Sequence, residues 1–160
     1  GIYMKLKLWE LTTSILLTFC LCILSSCSTP ANVEYDLVLD IHEFEIKKSH
    51  DLFHREPEVF FIAETETKSH VSKIFNDSKI DFVADATTYN IKLRGRSFSD
   101  NFVFSIDFYD NDLIWEADYI AGVTMKIDKN TGILSETVTV DNREIFLVFT
   151  YNLQNLKFND

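Results

Sequence analysis

The sequence predicts a mainly β domain: an antiparallel meander of about eight strands, curled into a small barrel or a sandwich, with one short helix. Three observations carry this. Apolar residues recur at every second position through most of residues 35–153, which is the period of a half-buried strand. Turn-forming clusters such as Asp110-Asn111-Asp112 and Asp141-Asn142 interrupt those runs at hairpin spacing. Of 14 phenylalanines, all but Phe19 follow Cys27, and at roughly 150–250 Å² buried per ring they supply a core that needs no disulfide.

The elements follow in order. Tyr35, Leu37, Leu39 and Ile41 alternate with Asp36, Val38 and Asp40, and Phe44 and Ile46 resume one residue out of phase, so this is one strand with a bulge near His42. A polar connection, residues 47–56, is closed by Pro57 and leads into the core strand Val59-Phe60-Phe61-Ile62. Thr65–Asp77 is the helix candidate, with Val71, Ile74 and Phe75 at i, i+3 and i+4 on one face. Strands are then expected at Ile80/Phe82/Ala84, Tyr89/Ile91/Leu93, Phe102/Phe104/Ile106/Phe108, Leu113/Trp115/Ala117/Tyr119 and Ile145–Leu153. Connections this short favour antiparallel neighbours, which predicts a meander of five strands over 87–153. The alternative is an α+β fold, with the helix packed on a curved antiparallel sheet.

Ahead of the domain lies a segment of another kind. Lys5 and Lys7 make a positive start, Leu11 to Leu24 is mostly apolar, and Leu24-Ser25-Ser26-Cys27 follows. Fourteen residues fall short of the roughly 20 that a spanning helix requires, so the length suits an export signal. The four-residue run resembles the lipobox of bacterial lipoprotein precursors. That resemblance implies acylation of the Cys27 thiol, cleavage before it, and a lipid-anchored envelope protein; Ser28 in the sorting position implies the outer membrane, facing the periplasm. The chain then divides into residues 1–26 as signal peptide, 27–33 as tether and 34–160 as a single β-rich domain. The three cysteines, Cys20, Cys22 and Cys27, all lie at or before the cleavage point, leaving no thiol for disulfide, redox or zinc chemistry in the domain.

Removing residues 1–26 takes away Glu10, Lys5 and Lys7 and leaves 24 acidic and 13 basic residues, a formal −11. Such a surface repels phosphate backbones, which argues against nucleic acid as a partner. Lys47-Lys48 and Arg94-Gly95-Arg96 are the only local cationic runs, and both read as solvated surface.

The candidate chemistry is sparse. His50 and His54, four apart, would share one helix face and suit a transition metal, with His42 or His70 as a third ligand; exposed loop histidines explain them more simply. Asp128-x-Asn130-x-Gly132 has calcium-loop spacing but Thr139 stands where the bidentate Glu belongs, so a hairpin turn is expected. Asp107, Glu116 and Asp118 crowd one hairpin and form a candidate carboxylate set for hydrolysis. They fall on the strand face opposite the aromatic residues, which favours a solvated polar face. No catalytic motif, glycine-rich phosphate loop or cofactor box is present, so neither an enzyme nor a cofactor is expected.

The run from Gly122 to Leu134 resembles the closing hairpin of small exported PepSY-type domains and of some NTF2-fold immunity proteins, a likeness that implies an α+β fold. The leading expectation is a non-enzymatic lipoprotein whose β domain binds a protein partner or supports an envelope assembly. Its alternatives are a carrier or sensor of an apolar small molecule, with aromatic residues lining the site, and a periplasmic immunity or inhibitor protein suited to a basic partner.

Overall fold

The computed structural model describes residues 33–47, 58–111, 117–129 and 134–155. Among these, nine strands form two antiparallel sheets: β1 (Val33–Ile46), β2 (Val59–Thr65), β3 (Ser69–Val71), β4 (Lys79–Asp81), β5 (Tyr89–Ser97), β6 (Asn101–Asp110), β7 (Asp118–Asp128), β8 (Ser135–Asp141) and β9 (Ile145–Asn155). In the first sheet β1 pairs with β9 on one side and with β5 and then β4 on the other, and β8 closes the far edge. The second sheet runs β3-β2-β6-β7. The domain is therefore an open sandwich, not a closed barrel.

Alternation decides which faces meet. Along β1, Tyr35, Leu37, Leu39 and Ile41 are buried, then the ladder with β9 slips between Ile41 and Glu43, and Phe44 and Ile46 are buried instead. The bulge lies where the phase change at His42 places it. One extra residue there lets a single long strand keep both apolar sets on the core side. β6 buries Phe102, Phe104, Ile106 and Phe108, and β9 buries Ile145, Leu147, Phe149, Tyr151 and Leu153.

The rings divide the core into two clusters. At the end where β1 finishes, Phe44 packs against Phe61, Phe75, Phe82 and Phe108 with centroids 5.1–6.4 Å apart. Where β1 begins, Tyr35 meets Phe102 edge-on at 4.4 Å, and Phe104 touches Phe102, Phe149 and Tyr151. Such edge-to-face pairs add about 0.5–1.5 kcal/mol each beyond the area they bury. The aromatic residues thus pack against one another and form the core that their number provides for.

Three sequence expectations are corrected. No helix occurs over Thr65–Asp77. Thr65 ends β2, its hydroxyl accepts from the Lys68 amide at 3.1 Å, and its own amide donates to the Lys68 carbonyl at 2.8 Å. The chain then folds back as β3, and Phe75 exchanges two backbone hydrogen bonds with Val59. Thr65, Thr67 and Val71 are β-branched and Ser69 and Ser72 compete for backbone groups, so a free edge on β2 prevails over an i→i−4 ladder. Of the supposed apolar helix face only Phe75 is buried, while Val71 and Ile74 are exposed. The α+β alternative falls with that helix.

The five-strand meander is not formed either. β5 lies in the first sheet, β6 and β7 in the second, and β8 and β9 in the first again, so among the described strands from β5 onward the hairpins are β6-β7 and β8-β9. Three residues, Phe98 to Asp100, join β5 to β6. That length spans about 10 Å, enough to cross between packed sheets, so a short connection need not mean a paired neighbour. The strand expected over Ile80–Ala84 is also cut short, because Asp81 Oδ1 accepts from the Ala84 amide at 3.0 Å and turns the chain.

Candidate functional site

On the outer face of the second sheet, alternation turns Phe60 and Ile62 of β2, Tyr109 of β6 and Tyr119 of β7 away from the core. Register makes a row of three of them: Phe60 is opposite Tyr109 on the β2-β6 ladder and Tyr109 opposite Tyr119 on the β6-β7 ladder. The Phe60 and Tyr109 rings stack at 5.4 Å, and Tyr109 meets Tyr119 edge-on at 5.7 Å. Tyr119 is 55% exposed and Val71, paired with Ile62 on the neighbouring strand, 58%. A ladder slip between Phe108 and Tyr109 aims Tyr119 into the row. Partial burial, and secondarily the Asp107 carboxylate, push both tyrosine pKa values up, so the hydroxyls stay neutral donors.

Carboxylates border the row. Ser105 donates to Asp107 Oδ2 at 2.7 Å, and Asp107 lies over Gly122, where a Cβ would run into its carboxylate. Asp118 pairs with Asp110, three residues beyond Asp107 on β6, or roughly 10 Å from the Asp107 position at about 3.3 Å per residue. Asp107 and Asp118 are thus not brought together as an acid and base, and Glu116 lies outside the described residues. Asp107 sits on the outer face, as the sequence indicates, whereas on β7 it is Tyr119 that takes the outer face, so the preceding Asp118, opposite Asp110, takes the other.

The other sequence candidates are scattered. Cys27, Ser28, His50 and His54 lie outside the described residues, as do Asn130 and Gly132 of the calcium-like spacing. His42, on the first sheet, contacts the Thr150 hydroxyl through Nε2 at 2.8 Å, and His70, on the second, contacts the Tyr89 hydroxyl at 3.4 Å. Among the described residues no group of three or more metal-ligating side chains occurs, and no helix is long and apolar enough to cross a membrane.

A charged ladder missed in the sequence covers the outer face of the first sheet. β1 presents Glu34, Asp36 and Asp40; β5 answers with Arg96, Arg94 and Asn90 at the same register. Arg94 grips Asp36 with two donors, Nε to Oδ1 at 2.8 Å and a terminal nitrogen to Oδ2 at 3.0 Å, and Lys92 adds a contact at 3.1 Å. Asp36 is only 3% exposed. Hydrogen bonding from Arg94, opposed by burial, lowers its pKa from 3.8 to about 2. The matching period-two charges of residues 34–40 and 90–96 were the available signal.

Comparison with known proteins adds the fold class. Neither a protein-family model nor a curated protein sequence matches the chain. Among solved structures, the first of the C2 domains of plant extended synaptotagmin 1 superposes with a TM-score of 0.58 at 9% identity, over 76% of this chain and 95% of that one. The fold is C2-like. Human GIVD cytosolic phospholipase A2, solved with methyl gamma-linolenyl fluorophosphonate and terbium chloride, matches at TM-score 0.59 and 19% identity over 78% of this chain. The match covers only 18% of the phospholipase, so this chain spans a minor part of that protein's length. A Drosophila C2-DSL-EGF1 structure matches at TM-score 0.52 and 8% identity, over 74% of this chain and 67% of that one. At these identities the C2-like resemblance concerns the sandwich alone.

Proposed function

We propose that this protein is a non-enzymatic, lipid-anchored lipoprotein of the cell envelope whose C2-like sandwich docks a protein partner on the outer face of its second sheet. The observation that carries the docking reading is the row Phe60–Tyr109–Tyr119, flanked by Ile62 and Val71. Tyrosines packed edge-on and left partly in water are the kind of rigid, amphipathic anchor that dominates protein interfaces. Glu64 and Asp107 rim the row, so the surface that fits it is apolar at the centre and basic at the edge. The anchor rests on the lipobox-like Leu24-Ser25-Ser26-Cys27, with acylation at Cys27 and Ser28 directing the protein to the outer membrane, facing the periplasm. Close packing of the interior rings speaks against an apolar small molecule held inside the sandwich.

The test is affinity capture of the full-length protein after cross-linking in its native membranes, beside a Tyr109→Ser/Tyr119→Ser variant. A stoichiometric partner is expected with the native chain, its yield falling at least tenfold with the variant, since losing each anchor costs about 2 kcal/mol or more. Equal capture by a variant of unchanged thermal stability sinks the assignment of this face.

A further inference from the structure

An open sandwich leaves sheet edges whose N–H and C=O groups can pair with another chain, and folded proteins blunt them with short strands, cations, prolines, bulges or covering loops. Among the described strands the outermost are β3, β4 and β5 on one side of the sandwich, tied by hydrogen bonds from His70 to Tyr89 and from Arg96 to Thr67, and β7 and β8 on the other. Most of these edges are blunted. β3 and β4 have three residues each. β5 carries Lys92, Arg94 and Arg96, and the Thr67 hydroxyl caps its Arg96 amide at 3.2 Å. β7 carries Lys126 and is bent by the slip opposite Phe108 and Tyr109. β8 has none of these devices: from Ser135 to Asp141 it contains no Lys, Arg, Pro or Gly, and it pairs with β9 without a slip.

The two ends of that ladder fix which groups are open. The Leu153 amide donates to the Leu134 carbonyl at 2.7 Å, and the Asn142 amide to the Ile145 carbonyl at 3.0 Å. Even-numbered residues from 134 to 142 therefore turn their N–H and C=O groups to β9, while Ser135, Thr137, Thr139 and Asp141 turn theirs away from the sheet. On the core side, Val138 and Val140 of β8, and Val123 and Met125 of β7, pack on the core but stay partly uncovered along this side of the sandwich. Charge does not single out a basic partner here, because Asp141 is already paired with Lys47 and Glu136 accepts from the Tyr151 hydroxyl at 3.2 Å.

The edge matches itself. Laid antiparallel to a second β8 about a two-fold axis at Val138, it sets Val138 opposite Val138, Thr137 opposite Thr139, Glu136 opposite Val140 and Ser135 opposite Asp141. No two like charges then face each other, and the β-branched pairs are of the kind that stabilise a ladder. In the same register the outward residues of one copy fall opposite those of the other, so each such pair can exchange two backbone hydrogen bonds. We propose that two copies of this chain pair through β8 in this register, joining their first sheets into one continuous sheet and covering Val138 and Val140 at the seam. Neither the lipid anchor nor the aromatic row on the second sheet enters this inference.

The full-length protein carrying Val138→Cys is purified in detergent and oxidised, and its linked peptides are mapped by mass spectrometry. At the two-fold axis the two Val138 positions form a non-hydrogen-bonded pair with about 4.5 Å between Cα atoms, within reach of a disulfide. A disulfide joining two copies of the β8 peptide is expected in most of the protein, a linkage to which Cys20, Cys22 and Cys27 cannot contribute. Adding Thr139→Pro removes an outward N–H and leaves the β8-β9 bonds in place, so it is expected to lower that yield at least fivefold. Hydrogen exchange of the native chain gives a reading without any variant: the Thr137 and Thr139 amides are expected to exchange at least tenfold more slowly in concentrated than in dilute solution. Self-pairing is overturned if the chains stay unlinked, if the double variant links as readily, or if those amides exchange alike in both solutions. Protection that appears only when a lysate is added overturns it in favour of a strand from another protein.

Discussion

Asp36 illustrates how one carboxylate is read differently alone and in register. By alternation it is an outward, polar position; in the sandwich Arg94 and Lys92 close over it. Because its folded pKa, about 2, lies below the ordinary 3.8, its ion pairing stabilises the fold above about pH 4. That contribution disappears as pH falls from 4 through 2. Both cationic partners are more than half exposed, so solvent screening reduces the contribution to about 1–2 kcal/mol. Asp36→Asn is therefore expected to unfold at lower urea concentration at pH 6, leaving Arg94 without its anion, while the difference from the native chain shrinks towards pH 2. A gap that stays constant from pH 6 to pH 2 would show that Asp36 acts through packing alone.

At the scale of elements, β1 organises the domain, and the bulge at His42 is what lets it. Phe44 follows the bulge and touches four other rings, so shortening it removes the hub of that aromatic cluster. Phe44→Ala is expected to cost about 3–5 kcal/mol, measured by denaturant unfolding, with the cavity adding to the lost transfer energy. A loss below 1 kcal/mol would mean that the two sheets collapse onto the gap. The bulge was legible because a change of phase in a period-two pattern is a local signal. The Thr65–Asp77 segment was not, since Val71, Ile74 and Phe75 satisfy helical spacing by coincidence, and the edge of β2 that its pairing with β6 leaves open decides where the segment's hydrogen bonds go.

Across the whole domain, charge is unevenly placed. The end where β1 finishes carries Glu58, Asp77, Asp81, Asp85 and Asp118 beside Lys47 and Lys79, whereas at the end where β1 begins Lys68, Arg94, Arg96 and Lys129 offset Glu34, Glu66, Asp100 and Asp128. Val33, the first residue of β1, is six residues after Cys27. An acyl group there would hold the less acidic end within about 20 Å of an anionic surface and let the acidic end point away from it. Under the proposed anchoring, Cys27→Ala is expected to abolish processing and change membrane partition, read from gel mobility and fractionation. An unchanged pattern would remove the anchor from the proposal.

The sequence by itself determined the β class, the sandwich as one of two forms, the bulge in β1, the outward aspect of Asp107, and the hairpin at Asp141-Asn142, where the Asn142 side chain accepts from the Glu144 and Ile145 amides. All are consequences of period and turn chemistry acting over a few residues. The tertiary structure alone decided that β5 and β8 cross between sheets, that Phe60, Tyr109 and Tyr119 form one row, and that Tyr35, Thr67 and Arg96 meet around Gly95. These juxtapositions depend on pairings between residues tens of positions apart, which alternation leaves open because a strand's pattern names its buried face and not its neighbour.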